Sequence, residues 1–349
     1  MALAAVAPAG AMAGPLYVVK GTWGPTNLVP GGDAQFTVQA RNVGDAMSTE
    51  PVVVSDQLPD GAIVTGIHYK FDSLDLANFG WCSGVGTDTA SCEIPESPIL
   101  AFLTRPRSDA ADRPTGYLPV MFVEATVEPD ASGVGVNTAS VSEGGVQHGV
   151  DVETVPFSAA PTTFGIVSGS FEADVFEAKY PAGAPSRIAG DHPYEQRVSF
   201  DLKARIDTSS RDGTRETLTV GSVKTVEVTL PRGMVGNPEA LPKCDPEDFA
   251  VAGAYKMGST ACPPETQVGV IDLQLINGGY NFGRGSFFNL NENLTRVALY
   301  NLEPPKGVAA DFGFNAGQVV QAHIYPEVDP AQNYAIKTVT PNISSVLTL

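Results

Sequence analysis

Charged side chains make up only 17% of this 349-residue chain, and no stretch of it sustains the three-and-four apolar spacing of an amphipathic helix. With 36 glycines and 28 prolines, that deficit leaves little room for helix and predicts an all-β, turn-rich polypeptide. Basic residues are the scarcer charge, 21 against 39 acidic ones. The resulting net charge of -18 would repel phosphates, which disfavours a nucleic-acid or anionic-membrane partner. The exception is Arg105-Pro106-Arg107 with Arg113, read as a solvated loop. The uncharged stretch Met1 to Val19 is interrupted by Pro8 and Pro15 and is poor as a spanning helix, so no membrane-spanning segment is expected.

The common catalytic signatures are missing as well. No Gly-x-Ser-x-Gly elbow occurs. The four histidines, His68, His148, His192 and His323, form no His-Glu-x-x-His motif, so a zinc site would have to be assembled through the fold. His192, before Pro193, reads as a turn residue. No Asp-x-Asp-x-Asp-Gly loop is present, although Asp207 with Asp212-Gly213, or Glu128 with Asp130, could contribute oxygens for calcium at a loop end. A glycosidase carboxylate pair has no sequence spacing to recognise. The run Gly278 to Gly285 lacks a following Lys-Ser/Thr and a helix, so it reads as a hairpin tip rather than a phosphate loop. Its Tyr280 and Phe282 are the candidate ligand contacts, able to stack on a sugar ring if exposed. No catalytic residue, metal ligand or cofactor is expected.

Cysteine is limited to Cys82, Cys92, Cys244 and Cys262, with nine residues between the first two and seventeen between the last two. Neither spacing is that of a zinc knuckle or a redox motif. Three pairings are possible. The local one, Cys82 to Cys92 and Cys244 to Cys262, is favoured because each pair falls within one predicted domain and closes a short loop, worth about 2–3 kcal/mol each. Four free thiols in a reducing cytosol is the competing reading.

What is present is a repeated unit, an alternating strand running into Leu-Pro-x-Gly. The copies are Val52-Val53-Val54-Ser55-Asp56-Gln57-Leu58-Pro59-Asp60-Gly61 and Val226-Glu227-Val228-Thr229-Leu230-Pro231-Arg232-Gly233. Pro at the second and Gly at the last position predict a tight turn closing each strand. Around the first copy, a strand starts at Leu16 to Val19, and Pro30-Gly31-Gly32-Asp33 supplies a turn. Phe36, Val38 and Ala40 then alternate with Gln35, Thr37 and Gln39, predicting one buried and one wet face. Further strands are expected at 62–69, 121–127, 137–141 and 150–157, with 74–113 as a disulfide-stapled loop or accessory hairpin. Seven or so strands fit an immunoglobulin-like sandwich.

A linker near Ser158-Ala159-Ala160-Pro161 is expected to separate the halves. Beyond it, alternation from Val198 to Ile206 predicts the cleanest strand of the chain, and 208–214 a polar hairpin loop. Strands follow at 226–230, 268–276, 297–301 and 319–325. Asp245-Pro246-Glu247-Asp248-Phe249 carries the one helix signal, an Asp cap followed by Pro and acids.

Small residues at Ala11-Met12-Ala13 have the form of a signal-peptidase site, so residues 1–13 are expected to be a truncated export leader. The domain expectation is therefore a leader at 1–13, an immunoglobulin-like sandwich at 14–157 and a second β-sandwich-type domain at 158–349. The final strand-like Ser345-Val346-Leu347-Thr348-Leu349 suggests a piece of a longer polypeptide.

Residues 14–157 resemble the conserved-repeat domain found in tandem in large bacterial and archaeal cell-surface proteins. The resemblance is carried by Gly32-Asp33-Ala34-Gln35-Phe36-Thr37-Val38, Asn42-Val43-Gly44, Asp56-Gln57-Leu58-Pro59-Asp60-Gly61 and Asn137-Thr138-Ala139-Ser140-Val141. It implies an immunoglobulin-like fold, in a family with no assigned enzymatic activity. The second half resembles a region of long secreted actinobacterial proteins through Phe164-Gly165-Ile166, Ala189-Gly190-Asp191-His192-Pro193, Leu230-Pro231-Arg232-Gly233-Met234-Val235-Gly236-Asn237-Pro238, Cys262-Pro263, Gln267-Val268-Gly269 and Tyr300-Asn301-Leu302.

The functional expectation is a non-enzymatic segment of an exported or cell-surface protein, a structural spacer or adhesion module. Its partner would be a cell-wall or extracellular glycan or another surface protein. The alternative is a carbohydrate-binding or accessory region of a larger secreted hydrolase.

Overall fold

The computed structural model describes residues 14–71, 74–96, 104, 118–177, 184–188, 190, 192–207, 216–251, 260–274, 294–315 and 321–343. The leader at 1–13, the arginines 105, 107 and 113, the turn at 212–213, the glycine-rich run with Tyr280 and Phe282, and the last strand at 345–349 lie outside the described residues. The all-β, antiparallel class is the one found. The described residues up to Val220 form one compact unit, and those from Gly221 onward a second.

The first unit is built on two five-stranded sheets. One runs in the order β1 (Tyr17–Gly24), β2 (Asp33–Asn42), β8 (Val120–Val127), β4 (Ala62–Phe71), β5 (Leu74–Asp75). The other runs β10 (Val146–Phe157), β9 (Gly133–Glu143), β3 (Val52–Gln57), β7 (Thr89–Ile94), β6 (Cys82–Ser83). Their inner faces share one core, in which Phe36, Val38, Val54, Val123 and Val141 are fully buried. Each such side chain removed from water contributes roughly 1.5–3 kcal/mol, so alternation along the strands is enough to fix which face turns inward. The sandwich is shut along one side where β1 meets β10. There a Cβ on Gly149 would stand 3.0 Å from the Tyr17 carbonyl oxygen, a tight contact that glycine avoids.

Both Leu-Pro-x-Gly units turn one residue later than the sequence predicts. Ala62 N donates to Pro59 O and Met234 N to Pro231 O, which makes proline the first residue of the turn and glycine the third. Gly61 (φ 90°) and Gly233 (φ 84°) take the positive φ that this third position demands. Strand β7, expected as loop or accessory hairpin, is an interior strand paired with both β3 and β6.

The wet face expected on β2 is covered. Gln35 accepts a 2.9 Å bond from Thr217 Oγ1, and Gln39 donates to the Leu118 carbonyl. The cover near Gln35 is the ribbon of β13 (Ala204–Asp207) and β14 (Glu216–Thr219), part of the chain after Ser158. The strand expected from Val198 to Ile206 is two strands. Its first part, β12 (Glu195–Ser199), pairs with β11 (Glu172–Phe176), and its second is β13. Between them Val167 N donates to Asp201 O and Lys203 N to Gly165 O, so the extended backbone changes partner while its side chains keep alternating. The expected linker is likewise tied down, with Ser158 N donating to Leu28 O and Asn27 to Ala160 O.

Lys20 on β1 is the electrostatic tie in this unit. It reaches Glu153 at 2.5 Å, Asp201 at 3.1 Å and Asp151 at 3.5 Å. Burial alone would lower its pKa, but the three carboxylates outweigh that and raise it.

The second unit is a six-stranded antiparallel sheet ordered β15 (Val226–Thr229), β20 (Ala335–Thr340), β19 (Gln321–Asp329), β18 (Asp311–Asn315), β17 (Leu294–Leu302), β16 (Gln267–Gln274). β16 to β20 form a meander, and β15 pairs back onto β20. β18 and β20 carry no strand signal strong enough to have been expected. The helix signal is met by α1 (Pro246–Ala250), where Asp245 caps by accepting from Glu247 N. Its Phe249 packs with Cys244, Cys262, Ala298, Tyr300 and Leu302 on one face of the sheet. Gly313 leaves room for it, since a Cβ there would lie 2.7 Å from the Phe249 ring. Among the described residues, no helix is long and apolar enough to cross a membrane.

Candidate ligand-binding face

Cys82 is bonded to Cys92 and Cys244 to Cys262, the local pairing. The first bridge joins residues directly opposite each other on β6 and β7, with Cα atoms 4.0 Å apart. Both sulfurs turn to the inner side with Cys92 fully buried, so the neighbours Ser83, Ser91 and Glu93 turn outward, while Trp81, just ahead of β6, packs partly against the core and also lines the cleft described below.

That outward face continues across the sheet in register. Ser83 stands opposite Ser91, Ser91 opposite Ser55, and Ser55 opposite Ser140, a row of four hydroxyls on four strands. The Ser55 and Ser91 hydroxyls are 2.9 Å apart. The next row is Thr89, Gln57 and Thr138. Toward β10 the face becomes apolar, with Val136 52% and Val152 60% exposed. The backbone of the interior strands β9, β3 and β7 is paired on both sides, so there the face presents side chains.

At the β6 end the face deepens into a cleft of about 490 Å3, floored by Val53, Ser91 and Glu93 and walled by Trp81 and Pro95. Local chemistry places that wall. Asp75 accepts from Ala77 N, Tyr69 N and His68 Nδ1, which starts a 3-10 turn at Leu76–Phe79. Burial works against the Asp75 charge, but these bonds outweigh it and hold the carboxyl below its usual range. Gly80 then turns through φ 76°, and Glu93 N donates to Trp81 O at 2.8 Å. The Phe79 ring lies 6.1 Å from that of Trp81 and is 65% exposed. Among the described residues, Glu93 is the one carboxylate lining the cleft.

Three of the histidines sit against carboxylates rather than together. His68 faces Asp75 at 2.6 Å, His148 faces Glu143 at 3.5 Å, and His323 faces the buried Asp311 at 3.0 Å. No group of three or more His, Cys, Asp or Glu able to hold a metal occurs among the described residues.

Sequence reasoning placed its aromatic ligand contacts at Tyr280 and Phe282, outside the described residues, and did not single out Trp81 or the hydroxyl rows. A signal was present: the outward positions 53, 55 and 57, 89 and 91, and 138, 140 and 142 carry Ser, Thr, Gln or Val. Their alignment into rows depends on register, which the sequence does not display.

No protein-family model and no curated sequence matches the chain. Among solved structures, it is similar to the collagen-binding domain of a Staphylococcus aureus adhesin, at 11% identity over 40% of this chain and 97% of that one, TM-score 0.27. It is similar to BcpA, the major pilin subunit of Bacillus cereus, at 12% identity over 62% of each chain, TM-score 0.29. AvmM, which catalyzes macrocyclization in alchivemycin A biosynthesis, is similar at 14% identity over 42% of this chain and 91% of that one, TM-score 0.26. At these scores the likeness carries no argument about function, and the fold rests on the sheets themselves.

Proposed function

We propose that the chain is a non-enzymatic segment of an exported, cell-surface protein, in which disulfide-pinned β-units act as spacer and adhesion module. What carries this reading is the outward face of the β10-β9-β3-β7-β6 sheet, an open array of hydroxyls and valines on a chain whose net charge is -18. Two disulfides support an oxidising compartment outside the cytosol. The resemblance of residues 14–157 to the conserved-repeat domain of surface proteins supports the same location. In this reading the sandwich proper ends near Phe157, and the chain that follows pads its β2 face.

The test is retention of the purified chain on isolated cell-wall sacculi and on immobilised matrix protein, measured by surface plasmon resonance. Retention on one of these surfaces, lost when Ser55→Arg and Ser140→Arg place charge on the face, is the expected result. Absence of retention on every surface overturns the adhesion role.

The Trp81 cleft favours a second reading, a carbohydrate-binding region serving a larger secreted hydrolase. A catalytic domain in the same uninterrupted polypeptide would select it.

A further inference from the structure

We infer that the cleft beside Trp81, continued by the row Ser83, Ser91, Ser55 and Ser140, is a binding site for a neutral polysaccharide chain laid across the strands. The inference rests on the adhesion reading and names its ligand class.

The chemistry of the face selects the ligand. A serine hydroxyl donates one hydrogen bond and accepts others, the same dual capacity that every sugar hydroxyl has. Four of them in register make a track that a polyol can follow, spaced about 4.8 Å per strand and about 14 Å long over three intervals. That length suits several linked sugar units rather than a single ring. Trp81, packed on the core on one side, lines the cleft with its half-buried indole and has Phe79 beside it, the amphipathic surface on which the apolar face of a sugar ring stacks. Glu93 adds a carboxylate able to accept from two adjacent hydroxyls. The cleft of about 490 Å3 lies in the size range of small-ligand sites.

Other polymers fit less well. A polyanion would meet Glu93 and the field of the whole chain. An extended peptide gains most of its affinity by adding to a sheet edge, and here the floor strands β3 and β7 are paired on both sides while the edge strand β6 offers only the two residues Cys82–Ser83. A purely apolar partner would bury the hydroxyl row against groups that cannot bond to it.

Affinity electrophoresis tests this, using soluble xylan, mannan, dextran and laminarin as neutral probes, heparin as the polyanion and gelatin as the polypeptide. Retardation by at least one neutral polysaccharide is expected. Trp81→Ala should weaken it about tenfold, the size of effect typical of removing a central aromatic anchor. Trp81 also touches the core, so Ser91→Arg and Glu93→Gln serve as variants confined to the open face, and each should weaken retardation while far-UV circular dichroism stays unchanged. No retardation by any neutral probe, retardation indifferent to all three variants, or binding to heparin alone overturns the glycan site. Binding to gelatin alone also overturns it, but leaves adhesion through this face standing.

Discussion

Asn137 donates its side-chain Nδ2 to Oδ1 of Asp56 at 2.8 Å, with both residues sealed inside the sandwich. The other side-chain oxygens of the pair, Asp56 Oδ2 and Asn137 Oδ1, have no partner among the described residues. Burial, reinforced by the nearby Asp151 and only partly opposed by the Asn137 bond, pushes the Asp56 carboxyl up to about 7 from its ordinary 3.8. The core therefore carries a neutral acid at mildly acidic pH.

A pH dependence follows from that pair. Between about pH 4 and 7 the folded chain keeps a proton that the unfolded chain releases, so stability falls as pH rises through this window and levels off above it. The full change is at most roughly 4 kcal/mol. Asp56→Asn, which cannot ionise, should gain on the wild type between pH 5 and pH 8 in urea melts. An equal difference at both pH values would show that the carboxyl is not neutral in the fold.

The two repeated turns should respond unequally to the same substitution. Gly233→Ala meets open space, so only the positive φ resists it, and the cost should be about 1 kcal/mol. Gly61→Ala adds a Cβ 3.0 Å from that of Ala131 and should cost more. Chemical denaturation of the two variants gives the comparison, and equal losses would contradict it.

Both disulfides close short loops, so removing either pair should destabilise its own unit by about 2–3 kcal/mol. The Cys82→Ala/Cys92→Ala protein should also lose ligand retention, because the bridge fixes Cys82, the residue that follows Trp81. Mass spectrometry after alkylation of the denatured, unreduced chain should find no labelled cysteine. Four labels would remove the argument for an oxidising compartment.

Phe249 reaches the second sheet through the space left at Gly313. Gly313→Ala should displace the ring and lower stability by about 1–3 kcal/mol through overpacking. The same substitution should change the near-ultraviolet circular dichroism of the surrounding aromatics. An unaltered spectrum and melt would mean that the helix is not held there.

Much of the fold was legible in local pattern. Alternation placed β3, β8, β15 and β17, and Asp245-Pro246 marked the helix start, because each of these depends on neighbours within a few residues. The break at 200–203 was not legible, since an extended backbone that exchanges one partner for another keeps its alternating side chains. Nor was the burial of Gln35 and Gln39, which depends on Thr217 and Leu118 far along the chain.

The candidate site divides in the same way. The amino-acid order by itself determined the class of the fold and favoured the local pairing of cysteines, because periodicity and short loops are properties of contiguous residues. Only the tertiary structure decided that Ser83, Ser91, Ser55 and Ser140 form one row with Trp81 at its head, because register between strands separated by up to dozens of residues is set by how their buried faces pack.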